Sequence, residues 1–148
     1  MVSLERYLGT NYVWGGETRR GIDCSGLIRC GLMDAALCGG VSTLNGRLIR
    51  QGIDLWWNDA SANELKAGYG GRTDPLGRAS NLNDADYSLL RPGDFAVTTD
   101  GVHTLAYLGD RTWIEADPGE GRVIKVTVPA KNPWFNRPMQ LMRWRCLE

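Results

Sequence analysis

The chain has 148 residues, 17 Lys and Arg balanced by 17 Asp and Glu, one histidine, four cysteines and 43% hydrophobic residues. That is one domain, spanning 1–148, with enough chain to bury a core. The neutral balance excludes the basic footprint of a nucleic-acid binder or of a protein drawn to an acidic membrane surface. No apolar run reads as a transmembrane segment. The first eight residues carry Glu5 and Arg6 and lack the apolar centre of a signal peptide. The expectation is therefore a chain exported without a signal peptide, or one cut from a longer precursor.

In chain order, Val2 to Leu8 predicts a short helix, and Thr10 to Gly21 a glycine-rich loop held by Tyr12 and Trp14. From Cys24, the residues Leu27, Ile28, Gly31, Leu32 and Ala35 recur at helical spacing, with Asp23 as N-cap and Gly39-Gly40 as the stop after Cys38. Cys24 thus opens a helix, where unpaired N–H groups and the positive dipole end favour a thiolate and lower its pKa. Thr43 to Gln51 predicts another short helix. Between residues 53 and 83 the pattern loosens into a long insertion containing Trp56 and Trp57. It reads either as an irregular cap with both tryptophans turned inward, or as a wall over a groove or a docking surface.

Arg91-Pro92-Gly93-Asp94 is a turn into the second half. Phe95 to Thr99, Val102 to Leu108, Thr112 to Ala116, Val123 to Val128 and Met139 to Arg145 read as strands of an antiparallel sheet of about five. Helices first and strands afterwards predict an α+β domain. The cysteines lack paired metal-ligand spacing, and no metal or cofactor is expected. Cys24 and Cys30 on one helix are ~9 Å apart along its axis, too far for a disulfide. Cys30, Cys38 and Cys146 read as core residues, a Cys38–Cys146 or Cys30–Cys38 bridge being the alternative.

Tyr12-Val13-Trp14-Gly15-Gly16 followed by Gly21-Ile22-Asp23-Cys24-Ser25-Gly26-Leu27 resembles the signature of the NlpC family of bacterial cell-wall cysteine peptidases, compact papain-like enzymes that cut peptidoglycan stem peptides. The resemblance implies that Cys24 is the nucleophile and that Tyr12, Asp23 and Ser25 line the substrate site. His103-Thr104-Leu105-Ala106-Tyr107-Leu108-Gly109 resembles the family's second motif, a strand opening on the catalytic histidine, and the chain holds no other histidine. A thiol needs such a base, which later protonates the leaving amine.

Glu115 stands where the family's third polar residue falls. Many members have a histidine there, but a carboxylate also fixes the ring's tautomer and stabilises the imidazolium. Strand alternation tests this choice. His103 and Glu115 share a sheet face if the hairpin loop holds an odd number of residues, as in a three-residue Gly109-Asp110-Arg111 loop. A two-residue Gly109-Asp110 turn would favour a neighbour such as Asp117. The Cys24 N–H is the first candidate oxyanion donor and the Tyr12 hydroxyl the second, while Trp14 is expected to be structural.

The expected activity is thiol-dependent cleavage of stem-peptide amide bonds in the periplasm or cell wall, through an acyl-enzyme. By the resemblance, the bond is that between γ-D-glutamate and the diamino acid. The expected partners are stem peptides and, for an antibacterial effector, an immunity protein; a phage lytic enzyme is the other role. Alternatives are an N-acetylmuramoyl-L-alanine amidase, a papain-like acyltransferase, and a silent cell-wall-binding module.

Overall fold

The computed structural model describes residues 2–147. A short helix α1 (Val2–Glu5) precedes a two-stranded ribbon of β1 (Glu17–Thr18) and β2 (Gly21–Ile22). Helices α2 (Cys24–Ser42), α3 (Gly46–Trp57) and α4 (Ala62–Lys66) come next. The strands β3 (Thr73–Ala79), β4 (Phe95–Thr98), β5 (Thr104–Gly109), β6 (Thr112–Asp117), β7 (Arg122–Thr127) and β8 (Met139–Trp144) complete the chain's regular structure. They form one sheet ordered β3-β8-β4-β5-β6-β7, antiparallel at every junction. The fold is α+β as expected, with six strands in this sheet rather than five.

The sixth strand comes from the supposed insertion. Pro75 and Gly77 hide β3 in the sequence, and the strand tolerates both because it lies at the sheet edge, with a register shift between them. The rest of that stretch is also ordered: Asn45 caps α3, and Ser61 with Glu64 forms a capping box on α4. Trp56 and Trp57 do not turn inward. They are 64% and 74% exposed and lean on each other at 5.1 Å.

Helix α2 is the hub, touching α1, α3 and α4 as well as the sheet. It runs past Gly39-Gly40 to Ser42. The predicted stop fails, and Gly40 serves helix packing instead. A Cβ on Gly40 would lie 2.7 Å from the Ile49 side chain and 2.8 Å from its backbone nitrogen, so α3 can approach only a bare backbone. By length and composition α2 is apolar enough to cross a membrane, contrary to the sequence expectation, but 56% of its apolar window is buried within this domain. Core packing accounts for that apolar character.

The sheet has two covered faces. Phe95, Val97, Ala106, Ile114, Ala116 and Met142 meet Leu27 and Ile28 of α2. The opposite face carries Ala96, Leu105, Tyr107, Trp113 and Leu141 beneath Leu82, Leu90 and Phe135. Of the cysteines, Cys24 and Cys30 are buried, but Cys38 and Cys146 are exposed and not core residues; all four are free thiols.

The β5–β6 hairpin decides what His103 faces. Its turn holds two residues, Asp110 and Arg111, both with positive φ, of the type that matches strand twist. A two-residue turn alone would put His103 and Glu115 on opposite faces. The register shift between Tyr107 and Gly109 leaves Leu108 unpaired as a bulge and restores the odd count. Continuing the Ala106–Ile114 register places Leu105 opposite Glu115, so His103 and Glu115 share the face away from α2.

Candidate active site

The loop before α2 is shaped by backbone contact. Gly26 is bare because its Cβ would fall 2.5 Å from the Gly16 carbonyl oxygen, and a Cβ on Gly16 would meet the Gly21 oxygen at 2.6 Å. This stacking seats Asp23, whose N–H donates to the Gly16 carbonyl at 3.0 Å. Asp23 then caps the helix. Its Oδ1 accepts from the Gly26 N–H at 2.7 Å and from the Ser25 hydroxyl at 2.9 Å, and its Oδ2 accepts from the Gly15 N–H at 2.8 Å. Both oxygens are engaged, so Asp23 ties the glycine loop, Ser25 and the start of α2 into one unit.

Cys24 follows at the first turn and is 5% exposed. Its thiol contacts the Val102 carbonyl oxygen at 4.0 Å. Burial, seconded by the Asp23 carboxylate, pushes this thiol up to about 11, while the N–H groups of Thr104, Ser25 and Cys24 itself pull it down. The lowered pKa expected from the helix start is therefore not found. Removing the sulfur from water disfavours the thiolate by more than a few peptide dipoles restore. The Tyr12 hydroxyl is close enough to feel both Cys24 and Asp23. Desolvation and these two groups raise it to about 12, so it remains a protonated donor at neutral pH.

His103 is buried, and its Nε2 lies 2.7 Å from Glu115 Oε2, with Glu115 fully buried. Burial raises the Glu115 pKa and the neighbouring Asp117 adds to this, while the bond and charge of His103 oppose it. Asp117, the second candidate for the ring's partner, does not bond the imidazole. It accepts instead from the Gly119 N–H at 2.7 Å, from Asn132 Nδ2 at 2.7 Å and from Trp134 Nε1 at 3.4 Å.

The structure thus gathers the predicted residues into two groups: Tyr12, Asp23, Cys24 and Ser25 on one side, His103 and Glu115 on the other. The start of β5 joins them, since the thiol touches backbone at Val102 and Thr104, on either side of His103. The thiol's partner among the described residues is that backbone and not the ring. With Nε2 occupied by Glu115, Nδ1 is the ring nitrogen that this bond leaves over.

Cys24 lines a cleft of about 390 Å³ together with Trp14, Asp23, Ser25, Ser61, Glu64 and Val102. Trp14 does not hold the loop from inside; it is 82% exposed and borders this cleft. Among the described residues no group of three or more His, Cys, Asp or Glu is placed to hold a metal. Sequence reasoning missed two neighbours of the site, Asn132 and Trp134. Asn132-Pro133 signals a capped turn, but nothing local to it points to a strand more than a dozen residues earlier.

The model of the NlpC/P60 family matches residues 9–143. No curated protein sequence matches the chain. Among solved structures, the NlpC/P60 domain of the peptidoglycan hydrolase SagA is 20% identical with a TM-score of 0.53, covering 95% of this chain and 92% of that one. The P60 domain of an antigen from M. avium subspecies paratuberculosis is 25% identical with a TM-score of 0.53, over 96% and 89% of the two chains. NlpC1 from Trichomonas vaginalis is 17% identical with a TM-score of 0.58; it covers 97% of this chain, which spans 41% of that protein.

Proposed function

Because the chain belongs to the NlpC/P60 family, we propose that it is a cell-wall hydrolase, a cysteine peptidase that cuts amide bonds of peptidoglycan stem peptides with Cys24, His103 and Glu115. The observation that carries this reading is the 2.7 Å bond from the chain's one imidazole to a fully buried carboxylate, with a helix-start thiol in the lining of a cleft and in contact with the backbone next to that imidazole. Such a bond fixes the ring's tautomer and stabilises the imidazolium. In the reaction, the thiol exchanges its Val102 contact for His103 Nδ1 and gives up its proton there. The sulfur attacks the scissile carbonyl, and the Cys24 N–H and Tyr12 hydroxyl receive the negative oxygen. The imidazolium returns the proton to the leaving amine, and water, deprotonated by the same ring, releases the acyl group. The proposed bond is that between γ-D-glutamate and the diamino acid.

Digestion of purified sacculi, with released fragments identified by mass, tests the reading. The native protein is expected to release peptides with a new amino terminus on the diamino acid, and Cys24→Ala to release none. Equal release by both proteins would refute it. A new terminus on L-alanine would instead identify an amidase.

One observation favours a second reading, a binding module without turnover: the thiol is only 5% exposed and contacts the Val102 carbonyl, and burial disfavours its ionisation. Iodoacetamide labelling of Cys24, in a Cys38→Ser, Cys146→Ser background that removes the exposed thiols, should climb throughout the alkaline range. A peptidase adds a shoulder near neutrality that depends on His103 and disappears in His103→Ala. A silent module shows the alkaline rise alone.

A further inference from the structure

Between β7 and β8 the chain makes a one-turn helix, Pro133–Asn136, that lies against the buried His103–Glu115 pair. Its cap, Asn132, uses its carbonyl oxygen to accept from the Trp134 N–H at 3.0 Å. That leaves its amide nitrogen free to turn inward, where it donates to Glu115 Oε1 at 3.0 Å and to Asp117 Oδ2 at 2.7 Å. One neutral side chain therefore bridges two buried carboxylates. Two residues on, the Trp134 ring stacks on the imidazole with centroids 4.1 Å apart and planes at 23°. The turn itself is held firmly. Phe135 is buried in the core of that face, and Asn83 bonds the Ala130 N–H at 2.8 Å and Asn136 Oδ1 at 2.9 Å.

We propose that Asn132 is a positioning residue for the reaction described above: the N–H it gives to Oε1 keeps Glu115 ionised and aimed at His103, its other N–H holds Asp117, and Trp134 excludes water from the ring. The physical reason is the company Glu115 keeps. It is fully buried, and the charged or titratable groups around it are His103 just before β5, Asp117 on its own strand and, across the Trp134 ring, Arg137 with its guanidinium 5.3 Å from the indole centroid. Lys131 and Glu120 border the open groove beside Asp117. Burial and Asp117 both favour the protonated acid, and donors to Glu115 oppose that. His103 supplies one at Oε2; Asn132 supplies the one at Oε1. Without it, Glu115 takes up a proton more readily, and a neutral acid stabilises the imidazolium far less than a carboxylate does.

Since His103 is the only histidine, its ring resonances can be titrated by NMR without assignment ambiguity and without substrate. In Cys24→Ala protein, adding Asn132→Ala is expected to move the His103 midpoint to lower pH by about one unit, a tenfold change in proton affinity. With Cys24 intact, Asn132→Ala should lower kcat for fragment release about tenfold at unchanged KM, because the side chain does not touch substrate. An unmoved midpoint together with a lowered Tm would make Asn132 merely structural and overturn the proposal.

Should Asn132→Ala fail to fold, the unsubstituted protein still decides. The Asn132 side-chain amide protons should resist exchange with solvent and shift in step with the His103 titration; exchange at the rate of a free amide refutes the bridge. The titration stands apart from the proposed reaction. A displaced midpoint in a protein that releases nothing from sacculi sustains the role of Asn132 and refutes the peptidase, whereas a native peptidase with an unmoved midpoint does the reverse.

Discussion

Glu115→Gln should abolish fragment release, by about 10³ to 10⁴-fold, while leaving the fold intact or more stable. The substitution keeps the shape of the side chain, and Asn132 dictates how the amide sits. Its nitrogen donates to Oε1, so the glutamine carbonyl must occupy that position and the amide NH₂ must face His103 Nε2. The ring can then only accept at Nε2 and must carry its proton on Nδ1, the nitrogen that takes the Cys24 proton in the reaction proposed above. The base is lost to the wrong tautomer.

Stability moves the other way. Glu115 has its pKa raised by burial, so the folded state binds its proton more tightly than the unfolded chain does. That contribution is fully present below the unfolded glutamate value, near 4.3, and is lost as pH rises through the higher folded value; at neutral pH the ionised side chain is a cost. The Tm of Glu115→Gln relative to native should therefore improve between pH 4 and pH 7. A Tm difference that does not change with pH would count against the buried charge, and a variant that retains activity would count against Glu115 as the ring's partner.

The second large effect is on stability and centres on Arg29, which is 2% exposed on α2. Its guanidinium pairs with Glu17, stands 3.6 Å from Asp59, and donates to the backbone carbonyls of Leu55 and Asn58. The Asn58 carbonyl also accepts from the Tyr69 hydroxyl. A single cation thus gathers the end of α3, the β1 ribbon and the segment from Asp59 that lines part of the cleft. Arg29→Leu leaves those carbonyls short of donors and Glu17 without its partner. It should destabilise the protein by about 3 kcal/mol, the low end for breaking a buried pair, since Glu17 reaches water. Urea unfolding reads this directly. Glu17→Gln, which keeps Arg29 on its carbonyls, should cost much less. Equal losses for the two would place the stabilisation in the ion pair alone.

The sequence made legible whatever is decided within a few residues. Asp23 as cap, Cys24 at the first turn, and the strands from Phe95 onward follow from capping chemistry and alternation, and all are present. Two of the misjudged elements were ones where a local rule was overruled by a neighbour. Gly39-Gly40 signals a helix end, yet α3 needs Gly40 bare to approach α2. Pro75 and Gly77 signal a loop, yet an edge strand accommodates them. Trp14 is expected from the sequence to hold its loop, and one of two readings of the insertion turns Trp56 and Trp57 inward, but all three rings are largely exposed.

What the sequence by itself determined is which groups stand at the start of a helix and at the start of a strand: a thiol, an imidazole and a carboxylate twelve residues further on. Only the tertiary structure decided how they behave. A bulge at Leu108 sets whether Glu115 or its neighbour meets the ring. The depth of Cys24 outweighs the dipole beneath it. Asn132 and Arg29 matter through what lies across space from them. The reason is physical: caps, turns and alternation act over one turn of chain, whereas desolvation and hydrogen bonds between distant segments depend on what the whole fold brings alongside.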